Sequence, residues 1–181
     1  MILPVRTQTL AKAYNDLASG REGFRVAIGN FMNAFFLYYP DCRQQLIDDP
    51  IQVPEYPDRE QRGWAAFCAG AAEYLAAHYG LQCPAWAHNL AYRMPEPWCI
   101  LPGASAQRRL HLQETTPAPW KKRNICCGNR VFSNQHPSSR EPGSYAELLQ
   151  RREARLADMT TEEREAYHTR MTGRPRVTIV T

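Results

Sequence analysis

Along the first eighty residues the apolar positions follow a helical period. Phe24, Ala27, Ile28, Phe31, Ala34, Phe35 and Tyr38 fall at i, i+3, i+4 and i+7, the spacing that gathers side chains on one helix face. A helix over 22–39 is predicted, ended by Pro40, with a shorter one before it over 7–19 and a brief one over 42–48 that Asp41 can cap. Asp58 and Gln61 have capping-box spacing for a long helix over 59–79, with Gly80 as its C-cap. Its apolar residues, among them Trp64, Phe67, Cys68, Ala71, Ala72 and Leu75, make a core face, and the run Ala69-Gly70-Ala71-Ala72 lets another helix come close. The helices 22–39 and 59–79 have the widest apolar faces and are expected to pack on each other.

The pattern then changes. From 81 to 120 prolines and tryptophans recur, including Pro84, Trp86, Pro95, Pro97, Trp98, Pro102, Pro117, Pro119 and Trp120, which leaves room only for short helices near 84–92 and 105–113. The segment 123–133 alternates around Gly128-Asn129, a dipeptide suited to a two-residue turn, and predicts a small β-hairpin. Residues 134–143, NQHPSSREPG, read as a linker. Beyond it Ser144 with Glu147 and Thr160 with Glu163 have capping-box spacing for thinly apolar helices over 145–157 and 161–171, and RPRVTIVT ends the chain as a strand in need of a partner edge. The expected fold is mainly α: a helical core domain over 1–133 with the hairpin, the linker, and a helical tail over 144–181 ending in a strand.

Charge sharpens this picture. Residues 1–100 carry a net −2, residues 101–142 a net +5 and residues 143–181 a net +1, so the chain's +4 excess centres on one stretch. Arg108, Arg109, Lys121, Lys122, Arg123 and Arg130 could meet phosphates there, with Trp120 as a stacking surface, or form a solvated rim whose Arg residues pair with helix carboxylates. Trp64, Trp86 and Trp98 are expected in the core, each with a partner for its N–H. The N-terminus has no apolar run of signal-peptide length and no window reaches the ~20 residues that span a bilayer, so a cytoplasmic protein that does not engage membranes is expected. In that compartment the six cysteines read as reduced thiols.

Candidate chemistry is thin. Cys83, His88, Cys126, Cys127 and His136 contain zinc-ligand types, but no C-x-x-C occurs and adjacent strand cysteines point to opposite faces. GASAQ at 103–107 lacks the closing glycine of a nucleophile elbow, and no phosphate-cradling glycine loop is present. No catalytic residue, metal site or cofactor is predicted.

The segments FRVAIGNFMNAFFLYYPDCRQQLIDDP, AAFCAGAAEYLAAHYGLQCPAW and TPAPWKKRNICCGNRVFS together resemble a family of small bacterial proteins that end in a P-A-aromatic-basic-basic-R segment. The matching positions are Pro119, Trp120, Lys121, Lys122, Arg123, Ile125 and Cys126, with Pro84 and Trp86 upstream. The resemblance implies a toxin–antitoxin-like gene pair and hence a role as the partner of a toxin or other effector. Cys126 and Cys127 depart from it, standing where bulky apolar residues are usual, as does the extension beyond Ser133. The first reading is thus a non-enzymatic protein-interaction module, antitoxin-like or regulatory, with 144–181 as a candidate surface for homo-oligomers. The alternatives are a nucleic-acid-binding regulator using the 108–130 basic surface and an unrecognised hydrolase or transferase.

Overall fold

The computed structural model describes residues 8–132 together with Thr160 and Glu163. The chain divides into two units, Met1–Pro142 and Gly143–Thr181. In the second, the Thr160 hydroxyl accepts from the Glu163 N–H at 3.3 Å while the Glu163 carboxylate accepts from the Thr160 N–H at 2.9 Å, the reciprocal capping that the spacing predicts. The linker 134–143, the remainder of both tail helices and the terminal strand lie outside the described residues.

The first unit is mainly helical. Helix α1 (Leu10–Ala18) is capped by Thr9, whose hydroxyl accepts from the Lys12 N–H. It buries Leu10, Ala13, Tyr14 and Leu17 and packs against both α2 (Phe24–Asn33) and α4 (Arg59–Tyr79). Helices α2 and α4 were expected to pack face to face, but α1 contacts them both. Their own meeting is aromatic, with Phe24 stacked on Trp64 at 5.5 Å and edge-on to Phe67 at 5.4 Å. Helix α2 runs on into a π-helical turn over Ala34–Tyr38, where the Tyr39 N–H reaches back to the Ala34 carbonyl. A 3₁₀ turn, Pro40–Cys42, then leads into α3 (Arg43–Asp48). Asp41 lies inside that turn and makes no cap bond to α3, because Pro40 has already started the next turn one residue earlier.

Helix α4 is the axis of the unit. Asp58 and Gln61 form the reciprocal box, at 2.8 and 3.0 Å, and Gly80 ends the helix with φ +62°. Every residue from Gly63 to Ala72 is buried, so the helix is enclosed around its circumference over more than two turns. Two of its glycines are sites of close approach. A Cβ at Gly63 would collide with the ring of Trp98, and one at Gly70 with the ring of Trp120. The short helix Ala118–Lys121 comes close at the small-residue run, the helix approach that the sequence suggests, and seats the Trp120 ring there.

After α4 the chain makes a 3₁₀ turn over Ala85–His88, strand β1 (Trp98–Cys99), α5 (Ala106–Thr115), α6 (Ala118–Lys121) and strand β2 (Ile125–Cys126). Among the described residues, the hairpin expected over 123–133 is not formed. β2 pairs in parallel with β1, Trp98 opposite Ile125 and Cys99 opposite Cys126. The reason is local. Gly128 does take a positive φ of +71°, but its N–H and that of Cys127 donate to the Thr116 hydroxyl at 2.8 and 3.0 Å. The turn is therefore held by a side chain at the end of α5, and no returning strand is needed to satisfy it. Among the described residues no helix is long and apolar enough to cross a membrane.

Candidate functional site

The basic stretch folds into two environments. In the first, α6 lays Trp120 on α4 at Gly70, and the indole N–H donates to the Phe67 carbonyl at 2.9 Å. Trp120 is 1% exposed and touches Phe67, Tyr74 and Phe132. It is a core side chain, and the stacking surface expected of it is not available to a ligand.

Arg123 is buried as well, at 5% exposure. Its guanidinium donates to the Glu73 carboxylate at 2.8 Å, the Pro119 carbonyl at 2.6 Å and the Ala87 carbonyl at 2.7 Å. Three acceptors in three directions match the rigid fork of Arg and no other cation. Lys122 reaches the other oxygen of Glu73 at 2.5 Å. Burial raises the Glu73 carboxyl, but the hydrogen bonds and charges of Lys122 and Arg123 outweigh it and hold the group below its ordinary range. Lys121 donates to the Glu114 carbonyl at 2.8 Å in the last turn of α5, where a cation offsets the helix dipole. Arg109 donates to the carbonyls of Ala104 and Pro102, closing the loop that precedes α5. Arg109, Trp120, Lys121, Lys122 and Arg123, five of the predicted site residues, are therefore engaged within the fold.

The other two, Arg108 and Arg130, line an open cleft of about 1090 Å³ between α2, α5 and the 127–131 turn. Sequence reasoning did not bring α2 into this site. It contributes Arg25, Val26, Gly29 and Met32 to one wall, while α5 contributes Arg108, His111 and Leu112 to the other. Arg25 and Gly29 are one helical turn apart, and Val26 beside them is 51% exposed. Val26 is an apolar residue off the periodic face of Ala27, Ile28 and Phe31, and that was the available signal. Among the described residues, four in the lining are basic or imidazole, Arg25, Arg108, His111 and Arg130, and none is Asp or Glu. Among the described residues the side chains of Arg25 and Arg108 make no ion pair.

The cleft offers little reactive chemistry. Its thiol, Cys127, is pushed up to about 12, burial being the main cause, and donates to the Gly128 carbonyl at 3.5 Å. At neutral pH it is a protonated, weakly nucleophilic group. Among the described residues no three His, Cys, Asp or Glu side chains converge as metal ligands. What remains is an apolar floor with cationic edges. The chain matches no protein-family model, no curated protein and no solved structure.

Proposed function

We propose that this chain is a protein-interaction module that seats an acidic, apolar-anchored segment of a partner protein in the cleft between α2 and α5. The observation that carries the reading is the lining itself: Arg25, Arg108, His111 and Arg130 around Val26, Met32 and Leu112, with no carboxylate among the described residues of the lining. Arg25 and Arg108, which make no ion pair among the described residues, favour an acidic partner and discriminate against a basic one. The apolar floor supplies the burial that gives such a contact affinity. The resemblance of the 117–126 segment supports an antitoxin-like or regulatory role toward a cytoplasmic bacterial effector as the biological form of this binding.

The alternative, nucleic acid on the 108–130 surface, uses the same cations for phosphates. It is less favoured because Trp120, Lys122 and Arg123 are taken up by the fold, which removes the expected stacking ring and two of the expected cations.

Fluorescence anisotropy on the full chain separates the two. Labelled acidic peptides with two apolar anchors should bind, basic peptides with the same anchors should not, and Arg25→Glu with Arg108→Glu should weaken binding by about tenfold or more. If DNA or RNA binds with a steep salt dependence while the peptides do not, the nucleic-acid reading replaces this one.

A further inference from the structure

The ladder between β1 and β2 sets Cys99 directly opposite Cys126. Neighbouring strands lie about 4.8 Å apart, within the roughly 4.4–6.8 Å between Cα atoms over which a disulfide closes. Partners in register present their side chains on the same face of a sheet, so the two thiols emerge together. They also sense each other. After burial, the Cys99 thiol is the main cause that pushes Cys126 up to about 11. Cys127, the next residue, points to the opposite face and lines the large cleft, whereas Cys126 lines a separate pocket of about 370 Å³ beside Lys121 and Glu114. Vicinal Cys126 and Cys127 are thereby kept apart, and the facing pair is Cys99 with Cys126.

Access differs between the two. Cys126 is buried, while Cys99 is partly exposed, and both are free thiols. The strands are two residues long and flanked by loops, so the small approach needed to form a bond disturbs little regular structure.

We propose that Cys99 and Cys126 are a reversible redox pair, a dithiol that a small hydroperoxide converts to a disulfide. With hydrogen peroxide, the Cys99 thiolate attacks one oxygen, the O–O bond breaks, and the departing hydroxide takes up the proton the Cys99 thiol released, giving a sulfenic acid and one water. The sulfur of Cys126 then attacks that of Cys99; the S–S bond forms, the S–O bond breaks, and the departing hydroxide leaves with the Cys126 proton as a second water. Two thiols are oxidised, one peroxide is reduced, and nothing else is consumed. The bond closes the loop that contains α5 and α6, so it ties one wall of the cleft to β1. The pairing rests on the strand register alone and holds whatever occupies the cleft.

The test uses the folded full-length chain. Hydrogen peroxide is added, remaining thiols are alkylated, and the protein is digested for peptide mapping by mass spectrometry. The expected result is a Cys99–Cys126 linked peptide, loss of two hydrogens from the intact mass, and four of the six cysteines alkylated, with all six recovered after dithiothreitol. Cys99→Ser should leave Cys126 alkylatable, and Cys127→Ser should leave the link intact. A Cys126–Cys127 bond, over-oxidised Cys99 beside a free Cys126, or a link that forms only in denaturant would each overturn the proposal.

Discussion

Arg108 and Arg123 are the same side chain in the same basic stretch, separated by one helix and a turn. Arg123 is turned inward, where a carboxylate and two backbone carbonyls take up its fork. Arg108 is turned outward onto a cleft whose lining, among the described residues, holds no carboxylate. The difference shows that local charge density does not distinguish a binding surface from a structural clamp. What distinguishes them is whether the fold brings acceptors to the cation. Around α6 it does, because α4 supplies Glu73 and the turn after it supplies the Ala87 carbonyl. At Arg25 on α2 and Arg108 on α5 no carboxylate is brought within ion-pair reach among the described residues.

The sharpest way to break this contrast is to empty the clamp. Trp120→Ala would remove a ring wedged against Gly70 and Phe67 and leave a cavity under α6, so a loss of about 3–5 kcal/mol is expected. Urea denaturation followed by circular dichroism reads it directly. A wild-type midpoint would mean that α6 does not hold the core.

Arg123→Ala tests the polar half of the same clamp. It strands the Ala87 and Pro119 carbonyls and leaves Glu73 with Lys122 alone, and a cost of about 3 kcal/mol is expected. Arg123→Lys should recover little of that, because an ammonium cannot serve acceptors in three directions at once. Full recovery by Lys would show that the charge alone matters at this position.

Acid should then separate the clamp from the cleft. Burial works against the charged form of Asp16, but bonds from Lys12 and Gln8 and the charge of Arg21 prevail, so it sits below its ordinary range, as Glu73 does. A carboxyl whose folded pKa is lowered binds its proton more readily in the unfolded chain. Its stabilisation is present above the ordinary carboxylate pKa of about 4 and drains away as pH falls through the lower folded value. Denaturation midpoints measured from pH 7 down to pH 2 should be flat at first and fall in the acid range. Asp16→Asn should flatten that fall, and an unchanged acid slope would show that the Asp16 cluster adds no net stability.

Tracing what the sequence displayed follows the same division. The bounds of α4 were readable because Asp58, Gln61 and Gly80 act on backbone groups within a turn of themselves, and the mainly helical class followed from the apolar period of α2 and α4. The parallel β1–β2 pair was hidden because Trp98 and Cys99 lie in a proline-rich stretch that shows no alternation, and because a Gly-Asn turn looks alike whether a strand or Thr116 satisfies it. The clamp could not be told from a binding surface, since two of Arg123's three acceptors are backbone carbonyls that no sequence pattern marks. The cleft was half seen: Arg108 and Arg130 stood in the basic stretch, whereas Arg25 and His111 join them only when α2 folds across α5.

The smallest effects on stability are expected at the cleft, and they decide how far the comparison holds. Gly29 has open space where a Cβ would stand, and it sits in a helix interior, so Gly29→Ala should add up to about 1 kcal/mol through helix propensity alone. Arg25→Glu and Arg108→Glu alter exposed side chains without ion pairs among the described residues, and each should stay within about 0.5 kcal/mol of wild type. The same two charge reversals should nonetheless remove binding of an acidic apolar peptide. Stability unchanged and binding lost is the signature of cations that serve a partner. A stability loss of the size expected for Arg123→Ala would instead place Arg108 in a clamp of its own, and the two regions would differ only in exposure.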